Sequence, residues 1–583
     1  MPYFPTRKVT IFAKDASVRT PAGDILRTQI EIPNETLGAG PRGYRVQVAD
    51  FDASTGKLYK TMAEPPNRSN GMPPDPFEDK SDDELLNSPD FHAMSAYAVV
   101  MRTLARFEHA LGRRVAWAFP GHQIQLAPHA FADANAFYSP DDQALMFGYF
   151  PKAGDGRHVF SCLAHDIVAH ETTHALLDGL RQRYTDPSSP EQAGFHEGFA
   201  DIVALLSMFS LGKVVERVLD PAQIGPKMKA KNVGPEALRN SILTGLGKEF
   251  GEELSGIRGD VLRRSVNLEP GVDYLHEEEF EEPHRRGEVL VAAIINAFLE
   301  VWSHRLQALK HDGEIDRQRT VEEGADVADH LLTICVRALD YCPPTDLQFC
   351  DFASALLTAD WEMYPKDQKY RFRRHLRQSF QAYGIKPTSD GKGEMGTWDP
   401  PDTKMRYDRT HFAEMQRDPN ELFRFLWENR KAFKMHDGAY TRVLSVRPCI
   451  RVGGDGFALH ETAVEYLQLL KIRANELAQL DIRKPPAMPG TQEVTLYGGN
   501  ALILDQYGQV KYSIGNSIFN AETQSSRLEY LWEHAFFSPG STKLQRFAAM
   551  HRVRATGRFS SGASREANWA VAAAVNGETH NAD

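Results

Sequence analysis

The sequence predicts a multidomain α+β protein in which a small lobe containing β-strands precedes a mostly helical lobe. Short segments with alternating apolar residues, typical of strands, occur near the N-terminus and again between residues 114 and 148. Runs with helical apolar spacing dominate from residue 161 to residue 383. A chain of 583 residues is also longer than one hydrophobic core usually accommodates, so we expect several domains.

Composition places the domain boundaries. Residues 1–63 are predicted to form a β-rich N-terminal module, because two strand-like runs flank a turn at 52–56. Residues 64–84 are rich in Pro and acidic residues and indicate a linker. The later divisions are predicted to be a lobe with a helix and strands at 85–160, a helical lobe at 161–386, a linker at 387–404, an α+β module at 405–555 and a flexible tail at 556–583.

The α+β module at 405–555 has its own pattern. Residues 420–433 and 461–480 are predicted to be helical, and 440–452 a strand. Two apolar runs at 502–504 and 510–514 flank the turn sequence DQYGQ and predict a β-hairpin.

Charge, hydropathy and cysteine usage exclude several classes of protein. A net charge of −11 argues against a general nucleic-acid binder, because phosphate binding needs clustered positive charge. No apolar run approaches the ~20 residues that span a bilayer, so no membrane partner is expected. The first residues lack a secretory-signal pattern, and the five cysteines lack the spacing of a disulfide framework. We therefore expect a cytoplasmic protein with reduced thiols.

The box HETTH at residues 170–174 carries the chemistry. Positions four apart lie on one face of a helix, so the imidazoles of His170 and His174 can converge on one metal ion. Glu171 is offset from them and can hold a water molecule as a general base. The box is therefore typical of a zinc metallopeptidase.

A catalytic zinc usually has three protein ligands, and Glu197 is the predicted third. The sequence DPSSP at 186–190 predicts a helix end and a turn that returns the chain to the metal. Asp201 lies one turn after Glu197 and is expected to accept the second ring N–H of a ligating His. His196 is an alternative ligand, but it lies about 100° from Glu197 around a helix, so both cannot face the metal.

Several ordered segments, over roughly residues 92–385, resemble the thermolysin-like gluzincin metallopeptidases. ANAFY at 134–138 looks like the substrate-binding edge strand of that family, and HALLDG at 174–179 resembles the family's HAxxD segment. Glu197-Gly198 with Asp201 resembles the third-ligand helix, and GDVLR at 259–263 resembles the family's GDxLR. Because the family's calcium-binding carboxylate cluster is not identified, the chain resembles a divergent, non-secreted member and calcium is not predicted.

The resemblance implies a thermolysin-like peptidase unit with one Zn2+ in the cleft between its lobes. It further implies transition-state donors at His284 and Tyr184, and substrate-binding roles for Asn135, Ala136 and Arg263. Arg264 remains an alternative to Arg263.

The predicted function is therefore zinc-dependent endopeptidase activity on a peptide or protein substrate, with an apolar residue expected after the cleaved bond. One alternative is a binding or assembly protein that acts on a protein partner through the module at 405–555. Another is a metallo-aminopeptidase, for which the sequence shows no acidic motif to hold a substrate α-amine.

Overall fold

A computed structural model describes residues 5–14, 23–60, 62–63, 74–151, 157–186, 188–219, 225–240, 260–388, 396–453, 456–534 and 536–537, and only the backbone at 230–231 and 260–263. The fold is mixed α/β, with several separate sheets. The predicted flexible tail at 556–583 lies outside the described residues, as do 64–73 and 389–395 within the two predicted linkers.

The N-terminal part combines two sheets with one long helix. Strands β1 and β2 pair antiparallel, and a five-stranded sheet follows in which β3, β6, β8 and β7 are successive neighbours and β9 also pairs with β8. The elements are β1 (Thr6–Phe12), β2 (Arg27–Pro33), β3 (Val46–Val48), β4 (Phe51–Asp52), β5 (Lys57–Leu58), α1 (Asp82–Leu86), α2 (Pro89–Leu111), β6 (Ile124–Phe131), β7 (Ala136–Ser139), β8 (Ala144–Pro151) and β9 (His158–Phe160).

Helix α2 has clear sequence reasons for its ends. The Ser88 side chain accepts a hydrogen bond from the N–H of Phe91 at 3.2 Å, and Pro89 occupies the first turn, where its missing N–H costs little. Gly112 ends the helix with a φ of 67°, a left-handed conformation that favours glycine.

The predicted helical lobe is present. Its elements are α3 (His165–Leu180), α4 (Pro190–Phe209), α5 (Gly212–Val218), β10 (Lys227–Lys229), α6 (Asp260–Asn267), α7 (Pro283–Ala308), β11 (Glu314–Asp316), α8 (Arg317–Ala338), α9 (Phe349–Met363) and α10 (Phe372–Ala382). Among the described helices, α7 is long and apolar enough to cross a membrane, and α4 with α5 passes the same test as a pair bent by 88°. Most of α7 is buried against α4, α6 and α10, as expected of a core helix.

The C-terminal part is a four-stranded antiparallel sheet with helices. The elements are α11 (Phe412–Met415), α12 (Pro419–Glu428), β12 (Tyr440–Val452), β13 (Ala458–Arg473), β14 (Glu493–Leu504), β15 (Val510–Asn516) and α13 (Ala521–Glu533), and the strands follow one another in sequence order. The predicted hairpin of β14 and β15 is confirmed. The predicted helix at 461–480 is wrong, because most of that run forms the inner strand β13 between β12 and β14. Residues 461–468 of β13 are buried on both faces, and polar residues such as Glu465 and Gln468 interrupt the apolar ones, so the sequence lacks the alternation of a half-exposed strand.

The predicted modules share a hydrophobic core in the part of the chain that the structure describes. Strand β3, from the predicted N-terminal module, pairs in parallel with β6 of the next lobe. The main hydrophobic core extends from Val9 to Ile514 and includes Ala463, Ile503 and Tyr512 of the C-terminal sheet. The sheets therefore pack on a common interior, although smaller clusters lie within the C-terminal part.

A buried ion network joins these parts. Asp340, between α8 and α9, accepts hydrogen bonds from Arg113 after α2, with an Nη2–Oδ1 distance of 2.6 Å, and from Arg451 of β12. Arg451 also binds Glu461 of β13 at 2.7 Å. Burial alone would raise the pKa of Asp340, but the two guanidinium groups outweigh it and lower the pKa below its ordinary value.

We predict that Asp340→Asn lowers the free energy of unfolding at pH 7 by about 3–5 kcal/mol, because it leaves the buried guanidinium group of Arg451 and the half-buried one of Arg113 without their shared carboxylate. Since the folded-state pKa of Asp340 is lowered, this stabilisation is present above the ordinary Asp pKa of about 3.9 and is lost as the pH falls. Urea denaturation should show the difference narrowing below pH ~4. Asp312→Asn, at a side chain 90% exposed, is the control. Equal denaturation midpoints for Asp340→Asn and wild type at pH 7 would contradict this role.

Candidate metal centre

Three side chains from α3 and α4 converge on one point. The Nε2 atoms of His170 and His174 are 2.6 Å apart. Glu197 Oε2 lies 3.6 Å from His170 Nε2, and its Oε1 lies 3.8 Å from His174 Nε2. All three residues are buried, and one ligand atom from each lies within 4.8 Å of the others. These residues can hold a metal ion, as the sequence predicts.

Asp201 fixes which nitrogen of His170 faces the other two ligands. Its Oδ1 lies 2.7 Å from His170 Nδ1, so this nitrogen carries the ring proton that the carboxylate accepts. In the neutral ring, Nε2 then presents its lone pair to His174 and Glu197. A donor set of two imidazoles and a carboxylate, with an acid behind one imidazole, fits a bound cation.

The local sequence explains the convergence. Helix α3 places His170 and His174 one turn apart on one face. It ends at Leu180, and α4 begins at Pro190, where the Ser189 side chain accepts a hydrogen bond from the N–H of Gln192 at 3.1 Å. The predicted helix, turn and returning helix are thus confirmed.

His196 is excluded as the third ligand by its place beside the cluster. Its ring stacks on the ring of His174, with centroids 4.8 Å apart and planes 15° apart. Among the described residues, the group that can hold a metal at this point contains Glu197 and not His196. His196 is completely buried and limits the freedom of the His174 ring.

Glu171 is held against an edge strand of the five-stranded sheet. Its Oε2 accepts a hydrogen bond from the backbone N–H of Tyr138 in β7 at 3.0 Å. That N–H therefore points away from β8, and strand alternation places the backbone groups of Ala136 on the same side. Asn135, directly before β7, accepts the N–H of Ala136 through its Oδ1 at 2.9 Å. The structure thus brings the two predicted substrate-binding residues, Asn135 and Ala136, to the edge that Glu171 faces.

His284 lies beside the same cluster. Its Nδ1 is 3.4 Å from Glu197 Oε2, and its side chain is 29% exposed. Helix α7 reaches α4 because glycines meet at their crossing: a Cβ on Gly198 would lie 2.9 Å from the Gly287 oxygen. A Cβ on Gly287 would lie 2.9 Å from the Gly194 oxygen. The sequence contains a signal for this crossing, since Gly194 and Gly198 are one turn apart, but the motif patterns did not reveal it.

Tyr184 does not take the place that the resemblance implies. Its hydroxyl donates a hydrogen bond to the Pro343 carbonyl at 2.7 Å, and its ring packs edge-on against Phe195. The residue is completely buried, and burial raises the pKa of its phenol. The predicted role as an oxyanion donor is therefore corrected to a packing role in the interior.

The structure describes the side chain of only one of the two candidate arginines, Arg264. The backbone of Arg263 belongs to α6, but its side chain lies outside the described residues, so its predicted contact with substrate remains a prediction. Arg264 donates from Nε to Glu288 Oε1 at 2.9 Å. Glu288 is buried one turn after His284 and also binds Arg285. Burial raises the pKa of Glu288, while Arg285 and Arg264 oppose the shift.

We predict that Asp201→Asn weakens divalent-metal binding at this site about 10–100-fold, because a neutral amide polarises the His170 ring less than a carboxylate does and can also turn its NH2 group toward the ring. Competition between the protein and a chromophoric chelator, with Zn2+ as the probe, measures this affinity. Asp312→Asn makes the same chemical change at an exposed position and should leave the affinity unchanged. Equal affinities for Asp201→Asn and wild type would remove Asp201 from the site.

Comparisons with protein families and with curated proteins add nothing to what the geometry of the site indicates. No protein-family model matches the sequence, and no curated protein matches it.

Proposed function

We propose that this protein is a zinc-dependent endopeptidase of the thermolysin-like gluzincin type. One observation carries the proposal: the carboxylate of Glu171, next to the His170–His174–Glu197 cluster, is bound to the backbone of an edge strand. A general base, a metal-ligand set and a surface for an extended peptide thus meet in one place.

Two imidazoles and one carboxylate form the ligand set typical of a catalytic zinc with an open position. Bound there, Zn2+ supplies Lewis-acid activation of water and of a carbonyl group. Because Asp201 accepts the proton on His170 Nδ1, the neutral ring of His170 presents the lone pair of its Nε2 to a bound ion. The near-complete burial of Glu197 keeps its carboxylate from exchanging freely with solvent.

Glu171 is positioned to accept a proton from an attacking water molecule and to deliver it to the leaving amine. Its Oε2 accepts the Tyr138 N–H, which limits rotation of the carboxylate. The Tyr138 hydroxyl donates to Asp178 Oδ2 at 3.0 Å, and Asp178 belongs to the same helix as Glu171. Tyr138 therefore joins β7 to α3 through both its backbone N–H and its side chain.

The edge of β7 is the proposed substrate-binding surface. An extended peptide can add to an open strand edge through main-chain hydrogen bonds, which demand little of its sequence. Ala136 lies two residues before Tyr138 in β7, and the N–H of Tyr138 binds Glu171. The backbone groups of Ala136 are therefore close to Glu171 along the same strand edge. This arrangement favours hydrolysis within a chain over recognition of a terminal amine.

His284 is the proposed donor to the negative charge that develops on the carbonyl oxygen. Its partial exposure beside Glu197 places it at the open side of the cluster. A well-placed donor of this kind contributes about 3–4 kcal/mol to catalysis. Arg263 is proposed to bind a substrate carbonyl.

The surroundings are proposed to be cytoplasmic. The five cysteines are all unpaired, and four of them are buried, as expected of thiols in a reducing compartment. We propose a peptide or protein substrate, and neither a nucleic acid nor a membrane as partner.

We predict that Glu171→Gln retains the metal and loses about 10²–10⁴-fold in the rate of hydrolysis, because the amide is not a base but still accepts the Tyr138 N–H. The rate is measured as cleavage of a reduced, carboxymethylated substrate protein. Elemental analysis of the same preparation of the variant gives its metal content. A Glu171→Gln protein as active as wild type would refute the proposed function.

Substitutions at His284 and Tyr184, the two predicted transition-state donors, should have different effects on kcat and on stability. His284→Ala is expected to lower kcat about 10²–10³-fold with little change in stability. Tyr184→Phe is expected to leave kcat unchanged and to lower the free energy of unfolding by ~1 kcal/mol, because the Pro343 carbonyl loses its buried donor. A large loss of kcat in Tyr184→Phe, with unchanged stability, would restore the role that the resemblance implies.

A further inference from the structure

A second cluster of metal-ligating side chains lies outside the site described above. It consists of His92 in α2, His129 in β6 and Cys162 in the turn Ser161–Leu163 before α3. One ligand atom from each lies within 4.8 Å of the other two. The three residues are 2%, 1% and 1% exposed, so the cluster is in the interior.

Hydrogen bonds behind the two imidazoles fix their orientation. His92 Nε2 lies 3.0 Å from the Leu86 carbonyl oxygen and donates to it. His129 Nδ1 lies 2.7 Å from Asp50 Oδ2, and Asp50 Oδ1 also accepts the backbone N–H of His129 at 2.9 Å. Both rings therefore place a proton on the nitrogen that faces away from the partner ring.

The facing nitrogens, His92 Nδ1 and His129 Nε2, are 2.8 Å apart. In neutral rings both present lone pairs, and two lone pairs at this distance repel unless a cation or a proton lies between them. The same arrangement occurs at His170 and His174, where Asp201 accepts the outer proton. Metal-ligating histidines characteristically donate their second N–H to a carboxylate or a backbone carbonyl, and His129 and His92 do so respectively.

We propose that His92 Nδ1, His129 Nε2 and Cys162 Sγ form a second metal site, which binds a cation of the zinc or copper class. Imidazole and thiolate are the ligands that these metals prefer, whereas Mg2+ and Ca2+ take oxygen ligands. The site does not depend on the proposed peptidase function.

The surroundings give this site a structural role. The ring of Phe160 packs edge-on against His129 at 5.3 Å, and Tyr59 stacks on His129 at 4.6 Å. Aromatic cover and burial separate the three side chains from solvent. A bound cation would join α2, β6 and the turn that leads directly into α3.

The same turn supports the proposed substrate strand. Ser161, next to Cys162, donates from Oγ to the Gly148 carbonyl oxygen at 2.9 Å. Gly148 donates its N–H to the carbonyl of Asn135, directly before β7. The second cation would therefore stabilise β7 through its neighbour β8, and it would not contact the reacting groups.

A shared proton is the competing arrangement. If His129 carried protons on both nitrogens, its charge would pair with Asp50 and its Nε2–H would donate to His92 Nδ1. That arrangement requires neither a metal nor the Cys162 sulfur, so metal content and sulfur ligation distinguish the two.

Elemental analysis of the full chain, purified without chelators, is the first test. Wild type should contain about two metal ions per chain, and the element identified separates zinc from copper. Cys162→Ser should lose one ion and keep the other, whereas Cys335→Ser, which alters another buried cysteine, should keep both. His174→Ala should lose only the ion of the first site.

Cobalt substitution tests the site in the wild-type chain, independently of whether a variant folds. Exchange of the bound metal for Co2+ should give a near-ultraviolet sulfur-to-cobalt charge-transfer band, because the first site has no sulfur ligand. The band should be present in Cys335→Ser and His174→Ala. One metal ion per chain together with no such band in the wild type would overturn the proposal and establish the shared proton.

Discussion

The hydrogen bond between Asp201 and His170 is the constraint on which the rest of the site depends. It joins α4 to α3 at 2.7 Å and fixes both the angle of one imidazole and the nitrogen that faces the ligand cluster. Because Glu197 lies one turn before Asp201, the contact that orients His170 also sets the place of the third ligand. An N–H that pointed into the cluster would oppose a cation, so this carboxylate influences how tightly the cluster can bind metal.

The rest of the fold holds these two helices in register. Arg181, at the end of α3, binds Glu465 of the C-terminal sheet at 2.6 Å in the interior. The glycine contact between α4 and α7 brings His284 to Glu197. The C-terminal sheet therefore supports α3, which carries His170 and His174, and a role in binding a protein partner remains a separate prediction.

The ligand positions could be predicted from the sequence because helix geometry alone places His170, His174 and Asp201 on defined faces. The turn signal before Pro190 predicts a helix that returns Glu197 toward the two histidines, and the structure confirms that turn and that helix. Tyr184 could not be placed in this way, because its direction depends on groups that are distant in sequence or belong to another helix. The sequence of strand β13 predicts a helix because both faces of the strand are covered, and local periodicity does not contain this tertiary feature. The parallel pairing of β3 with β6 was missed for the same reason.

Hydrolysis in 18O-labelled water tests the central claim most directly. After incubation of an unfolded substrate protein with this protein, mass spectrometry identifies each new C-terminus and its isotopic mass. We expect new internal cleavage sites whose carboxylates carry one 18O from the attacking water, and we expect these sites to disappear on chelation and to return with Zn2+. Absence of new termini relative to a Glu171→Gln control, or cleavage that survives complete metal removal, would contradict the proposed zinc-dependent hydrolysis.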